Sequence, residues 1–479
     1  MTKEPLRGAS WARTACAALL LMMAVAAQGA IDRKTIVRRN NPHAESVGER
    51  QFLLGNGQNS INVDATALQT FVTKGAGPFI VGLNLSDTLR LTDLQMTLDR
   101  WNGKADSRFS YDGHRYHVET VHTLATFSTK RELMSDRSKT EANMVATRIN
   151  CDTTFEVRLT PLFPDHSPAS SLKVIHLKNH AAIRAADGEG QTCWLLLSWT
   201  GKVAIRKQAG CVVLRSKEKT LELQFSVARA NPNDNFYNTS WVEPFSGEAM
   251  NVATAWSSYW MEYGFADFSA VDDPAARRLE QRMVAALYNM AASQPEDWWA
   301  MAPFTLYGFP QQASIAVERH ARKSPKELAA RPEFIALAEM TLRAYVGPET
   351  VSRHSVAREN LWRNYATLIG AYGPYVAQAA SQLAAGPAPT PTGSLRWINT
   401  DQLPAVAQRW QEAYDSLACT DQLPTEAETL YGFTENQLFS VPDDVAIDSL
   451  SDSDFLLMLA ARRWPQAWPV VVENILPLP

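Results

Sequence analysis

The sequence predicts a multidomain α+β chain, with an antiparallel β-sandwich over residues 30–265 and a helical domain over 266–479, preceded by a signal peptide at 1–29. Three observations carry this. Up to about Phe265, short runs alternate apolar and polar residues, the period of a half-buried strand. From about Ala275 onward the apolar residues recur at helical spacing. Between the two lies Asp272-Asp273-Pro274 to Met290, where one period gives way to the other.

At the N-terminus, Lys3, Arg7 and Arg13 precede an apolar run from Ala15 to Ala27 and the small residues around Ala27-Gln28-Gly29. A basic head, a short apolar stretch and a small-residue cleavage region describe a secretory leader. An uncleaved membrane anchor is the competing reading, and the run is short for a span of ~20 residues. Secretion to an extracellular compartment is therefore expected, with no membrane partner once the leader is removed. Asn84-Leu85-Ser86 and Asn238-Thr239-Ser240 are glycosylation sequons that suit such a chain.

Within the sandwich, Arg115 to Val121 and Leu221 to Val227 alternate cleanly, and Trp194 to Trp199 reads as a strand covered on both faces, followed by a turn at Thr200-Gly201-Lys202. Asp112-Gly113 between two such runs is a hairpin signal. Cys193 and Cys211 flank strand-like runs and are the candidate disulfide in an oxidising compartment. Gly55-Asn56-Gly57 lacks a third glycine and a following helix, so it reads as a tight turn rather than a nucleotide loop.

The junction helix starts with Asp273 as cap and Pro274 at the position where a missing N–H is harmless. Leu279, Met283, Ala286, Leu287 and Met290 share one face, and Arg278 and Glu280 lie outside it. Further helices are expected near 332–345, 355–370, 401–417 and 453–463, with a weaker one near 466–475. Gly386 to Gly393, dense in proline, separates two of them.

Charge excludes some functions. A formal net charge of −4 over 479 residues carries no polybasic surface for nucleic acid. No Cys-x-x-Cys spacing is present, and His117 points opposite to His114 and His122 on a strand, so no metal site is expected. Walker A loops, His-Glu-x-x-His and a serine nucleophile elbow are absent, and no cofactor is expected. What remains is carboxylate beside indole. Glu296 and Asp297 precede Trp298 and Trp299, which pairs proton-donating groups with rings that stack on sugar faces. An acidic surface pair with two indoles plugging a seam explains the same residues. A second group, Asp452-Ser453-Asp454, also reads as a helix cap supplied by Asp452 or Ser453.

Several passages resemble one family. Ile31 to Pro42, Leu54-Gly55-Asn56-Gly57 with Val63 to Phe71, Trp101-Asn102-Gly103, Ser107-Arg108-Phe109, Val118-Glu119-Thr120, Ser258-Tyr259-Trp260 and Asp273 to Met290 are similar to the six-hairpin glycosidase-like secreted proteins related to glycoside hydrolase family 65. That resemblance implies a β-supersandwich followed by an (α/α)6 barrel. Here about 200 residues follow the sandwich and some are Pro-rich, so the toroid is expected to be incomplete. It also implies a carbohydrate or glycoconjugate partner, a sugar-facing role for Tyr307 in Leu306-Tyr307-Gly308-Phe309, and a site-side position for Asp454. The expected chemistry is glycoside cleavage, with Glu296 or Asp297 as acid and Asp454 as base. A non-catalytic binding descendant of such an enzyme is the alternative.

Overall fold

A computed structural model describes residues 31–48, 50–57, 59–72, 79–123, 144–163, 169–228, 244–293, 298–304, 335, 358–385, 399–419 and 447–475. The described residues open with a short helix, α1 (Arg33–Arg39), capped by the Asp32 carboxylate on the Thr35 amide. Among the described residues fifteen strands follow, from β1 (His43–Ala44) to β15 (Thr220–Ala228). Nine build one antiparallel sheet in the order β1, β5 (Leu91–Asp99), β6 (Lys104–Tyr111), β7 (His114–His122), β8 (Met144–Cys151), β15, β12 (Thr192–Trp199), β11 (His180–Ala186), β10 (Ser171–His176). Four build a second, β13 (Val203–Gln208), β14 (Cys211–Ser216), β9 (Glu156–Pro161), β4 (Phe79–Leu83). Their inner faces close on a common core that includes Val118, Ile149, Leu195, Leu223, Val81, Leu159 and Val212. This is the alternation expected of strands with one face inward.

Local chemistry explains the turns. Asp112 and Gly113 both adopt positive φ, 51° and 81°, which makes the β6–β7 connection the tight turn that suits strand twist. Trp194, Leu196 and Ala182 form a small apolar cluster separate from the main core, so β12 is covered on both faces as its run of apolar residues implies.

Two expectations for the sandwich segment are corrected. Residues 31–265 are not all strand. Besides α1, Phe245–Glu262 is a helix, α2, and its buried Phe245, Val252, Trp256 and Trp260 are seven and four residues apart. That is helical period, hidden in the sequence by an exposed polar face of Ser and Asn. The Cys193–Cys211 disulfide is also overturned. The structure does not join the two: both side chains are buried, one on β12 of the nine-stranded sheet and the other on β14 of the four-stranded sheet. Cys193 faces Ala185 across its ladder and Cys211 faces Gln208. Burial pushes the Cys193 thiol up to about 11, which keeps it protonated and unreactive.

The helical part begins as the sequence predicts. Helix α3 (Pro274–Ser293) starts on Asp273, whose carboxylate accepts the Ala275 amide at 2.8 Å, and Leu279, Met283, Ala286, Leu287 and Met290 are buried. Glu280 is the exception: expected outside the apolar face, it is only 3% exposed. Arg39 and Asn40 of the N-terminal segment cover it with hydrogen bonds at 2.8 and 2.7 Å, a partner set no local pattern reveals. After a 3₁₀ turn (Trp298–Phe304) come α4 (Arg358–Ala385) and α5 (Leu403–Cys419), packed against each other, and α6 (Asp452–Ala460). The expected helix near 466–475 is instead a strand, β17 (Val471–Glu473), paired with β16 (Phe265–Asp267). Its valines, stiff at χ1, favour the extended pairing. The expected helix at 332–345, save residue 335, and the Pro-rich 386–393 lie outside the described residues. Among the described residues no helix is long and apolar enough to cross a membrane.

Candidate functional site

The junction that carries the acidic turn is built by α6, α3 and the 3₁₀ turn. Helix α6 packs against both of the others. Its cap is Ser451, whose hydroxyl accepts the Asp454 amide at 3.2 Å, one residue earlier than the sequence suggests. Asp452 and Asp454 then occupy the first turn, where the positive end of the helix dipole favours acids. The run Phe455 to Ala460 is wholly buried, which anchors this turn against α3.

Asp452 is gripped from α3. Arg282 Nη1 pairs with its Oδ1, and Asn289 Nδ2 donates to its Oδ2 at 2.9 Å. The two α3 residues are seven apart, two turns on one face. Arg282 is itself fixed, by donating to the Leu450 carbonyl at 2.8 Å and by lying 5.5 Å from the Phe455 ring centroid. Asp454 has a different environment. It is 3% exposed, buried with Ser453 between its own helix and its neighbours.

The sandwich sets where α3 stands. Tyr288 donates its hydroxyl to the Leu53 carbonyl at 3.0 Å, and the Gly57 amide donates to the Ala292 carbonyl at 2.9 Å. Gly55, at the end of β2 (Phe52–Gly55), leaves no room for a side chain. A Cβ there would lie 2.2 Å from the Ala292 oxygen. The Gly-Asn-Gly turn is thus a docking surface for the end of α3. Trp256 stacks on Tyr288 at 4.6 Å, and the Arg100 guanidinium lies over the Tyr288 ring at 5.7 Å. Burial pulls Arg100 down to about 10, with Tyr288 and Asp452 favouring its charged form.

Asp64, in the stretch after that turn, is a structural acid. Its carboxylate accepts the Thr66 amide at 2.8 Å, the Thr66 hydroxyl at 2.6 Å and the Phe71 amide at 2.6 Å. Desolvation raises its pKa, and those hydrogen bonds oppose the rise.

Among the described residues one group has ligand atoms close enough for a metal, Asp106, His117 and Glu119, all within 4.8 Å of one another. It lies on β6 and β7, not on the helices. The Lys104 ammonium already stands between the acids, 2.7 Å from Glu119 and 3.2 Å from Asp106, and Arg148 approaches Glu119 at 3.5 Å. Those cations compensate the carboxylates, so the cluster is an ion-pair network. The three strand histidines do separate: His114 bonds Asp152, His117 bonds Asp106, and His122 is buried against the Thr123 carbonyl.

Of the residues singled out in the sequence, the structure brings Asp454 to the α3–α6 junction and sets Trp298 and Trp299 at the start of the 3₁₀ turn packed on α6. Glu296, Asp297, Tyr307 and Asn238 lie outside the described residues. Asn84 is exposed just after β4, with its Nδ2 on Glu156 at 2.9 Å. Sequence reasoning missed Arg282 and Asn289, which stand 170 and 163 residues from Asp452. Their spacing of seven on one helix was the only available signal.

No protein-family model matches this chain, and no curated protein sequence matches it. Solved structures do. A protein described as a kojibiose phosphorylase from the human microbiome aligns over 89% of this chain and 68% of its own, at 9% identity and a TM-score of 0.39. A family GH92 alpha-mannosidase from Bacteroides thetaiotaomicron aligns over 78% of this chain and 57% of its own, at 7% identity and a TM-score of 0.29. The same mannosidase in complex with mannoimidazole aligns over 71% and 55%, at 8% identity and again 0.29. The chain spans little more than half the length of the mannosidase.

Proposed function

We propose that the protein is a secreted, carbohydrate-directed protein of glycoside hydrolase type. The observation that supports this reading is the packing of α6, with its acidic first turn, against both α3 and the turn that opens with Trp298-Trp299. Segments about 150 residues apart in sequence are thereby packed together, one with the acidic first turn of α6 and the other opening with Trp298-Trp299. The sequence passages shared with the glycosidase-like family run through the elements that position it, from Ile31 through the Gly-Asn-Gly turn to α3.

Hydrolysis of a glycoside needs one carboxyl group to protonate the leaving oxygen and another to activate water or attack the sugar. On this reading Glu296 or Asp297 is the acid and the α6 turn supplies the carboxylate, with Asp454 as the base. Carboxyl groups ~5–5.5 Å apart would give retention, and ~6.5–9.5 Å inversion.

A non-catalytic carbohydrate-binding protein is the second reading, and the burial of Asp454 favours it. An acid 3% exposed has little access to a water or a sugar carbon. A glycan-array binding screen beside a panel of aryl glycosides separates the two. The hydrolase reading expects turnover of at least one glycoside, lost by ~10²–10⁴-fold in Glu296→Gln or Asp297→Asn and in Asp454→Asn. Binding without turnover establishes the second reading. If the protein neither binds nor turns over any glycan, the carbohydrate assignment falls.

A further inference from the structure

The formal net charge of −4 conceals an uneven distribution. In the four-stranded sheet, Val157, Leu159, Val212 and Leu214 point into the core, and Val203 and Ile205 pack against it. The residues that alternate with them face the other way. In one row across β13, β14 and β9 stand Arg206, Val213 and Arg158, and two residues along stand Ala204, Arg215 and Glu156. Lys202 and Lys217 flank these strands at the same end, where the Lys217 amide donates to the Lys202 carbonyl at 2.9 Å. Arg158, Arg206, Arg215, Lys202 and Lys217 are all exposed. Glu156 is the acid of these rows, and it is taken up by Arg206 and by Asn84 Nδ2 at 2.9 Å. Among the described residues no carboxylate pairs with Arg158, Arg215, Lys202 or Lys217. Over β4 the face is closed, since a Cβ on Gly82 would lie 2.5 Å from the Thr70 Cα. The open part is therefore the basic part, β9, β14 and β13.

We propose that this face of the sandwich binds a linear sulfated polysaccharide. Arg206 and Arg158 stand two strands apart, about 10 Å, and Arg215 lies about 7 Å along the middle strand. Backbone positions so spaced on a flat sheet do not enclose one small anion, but they can track a chain that carries oxyanions at intervals. Three of the five cations are guanidiniums, whose planar fork takes two oxygens of one oxyanion. The two rows hold no aromatic ring, so the face lacks the platforms on which single-stranded nucleic acid stacks its bases. A flat sheet face also offers no helix or ribbon to enter a duplex groove. The exposed large apolar residues among those described, Leu89, Met250, Met261, Tyr375 and Val471, are absent from β9, β13 and β14, so nothing there anchors in a bilayer. The face is built by the sandwich alone and takes nothing from the carboxylates of the α3–α6 junction, so its occupancy stands apart from the glycoside-directed reading.

Titration of a fluorescently labelled heparin decasaccharide with the full chain, read by anisotropy at several salt concentrations, tests this. Wild type should bind, with an affinity that falls steeply as salt rises. Arg158→Gln combined with Arg215→Gln removes two exposed charges. It should weaken binding by about 10- to 30-fold at about 0.15 M salt, and lower the slope of log affinity against log salt by about 2. The control is Lys173→Gln combined with Arg184→Gln, exposed neighbours on β10 and β11 of the other sheet. It makes the same change in net charge and should keep the affinity within about two-fold, because screening confines each charge to its own surroundings. If the Arg158 and Arg215 variant does not fold, Lys202→Gln combined with Lys217→Gln decides, with the same loss expected. Absence of binding by wild type overturns the proposal, and so does unchanged affinity in the variant that decides. An equal loss in the control also overturns it, because net charge alone would then explain the binding. Tighter binding of hyaluronan (carboxylates without sulfate), of duplex DNA or of phosphatidylserine vesicles overturns it too, by giving the face to another anion.

Discussion

Replacing Arg33 by alanine should loosen the whole junction between sandwich and helices. Arg33 is 4% exposed at the start of α1. Its Nη1 donates to the carbonyls of Trp260 at 2.7 Å, Met261 at 3.1 Å and Tyr263, at the end of α2. Its Nη2 donates to Glu473 Oε2 at 2.9 Å, on the last strand, and the guanidinium lies 5.7 Å from the Phe265 ring centroid. The other Glu473 oxygen accepts the Ile31 amide at 2.9 Å. One side chain thus joins the first helix, the end of α2 and the C-terminal strand.

Breaking a buried ion pair from one side costs ~3–5 kcal/mol, and Glu473, at 27% side-chain exposure, can recover some hydration. The lower end applies, about 3 kcal/mol for Arg33→Ala. Arg33→Lys keeps the charge, but a compact ammonium cannot span the Glu473 carboxylate and the α2 carbonyls as the fork does, so about 1–2 kcal/mol is expected. Equilibrium urea unfolding followed by tryptophan fluorescence measures both. A double-mutant cycle with Glu473→Gln should show coupling, because the two residues share one interaction. A loss below ~1 kcal/mol in Arg33→Ala would refute the reasoning.

Three further outcomes are expected. His122 is buried on β7 and desolvation pulls it from 6.5 down to about 4. The unfolded chain therefore takes up a proton that the folded chain refuses, and stability falls as pH drops from about 6.5 towards 4. The loss reaches roughly 3 kcal/mol, and urea midpoints across that range should flatten in His122→Leu. Gly55→Ala forces a methyl onto the Ala292 carbonyl and should cost about 1–3 kcal/mol by thermal melting, with an unchanged melting temperature as the contrary result. Non-reducing peptide mapping should find no Cys193–Cys211 crosslink, since the structure does not join the two, and a mapped crosslink is the contrary result.

Local pattern was enough wherever a residue's partner is near in sequence or is the core at large. The alternation of β7 and β15, the Asp112-Gly113 hairpin, the Asp273-Pro274 start of α3 and its apolar face all follow from backbone periods and turn chemistry. The helix α2 escaped because its buried positions are few and separated by polar residues. The strand β17 escaped because a three-residue run acquires its conformation only from its partner, β16.

The sequence by itself determined the α+β class, the strands β7, β12 and β15 with the β6–β7 hairpin, the junction helix and the acidic turn that α6 carries. Only the tertiary structure decided which acid stays accessible, which is buried and which is tied to an arginine. Asp452 and Asp454 are two residues apart and read alike in the chain, yet one keeps a quarter of its surface and the other almost none. Periodicity reports which face of an element is apolar. The environment of a charge is set by residues that folding brings from far along the chain, here Arg282 and Asn289, Arg39 for Glu280, and Arg33 for Glu473.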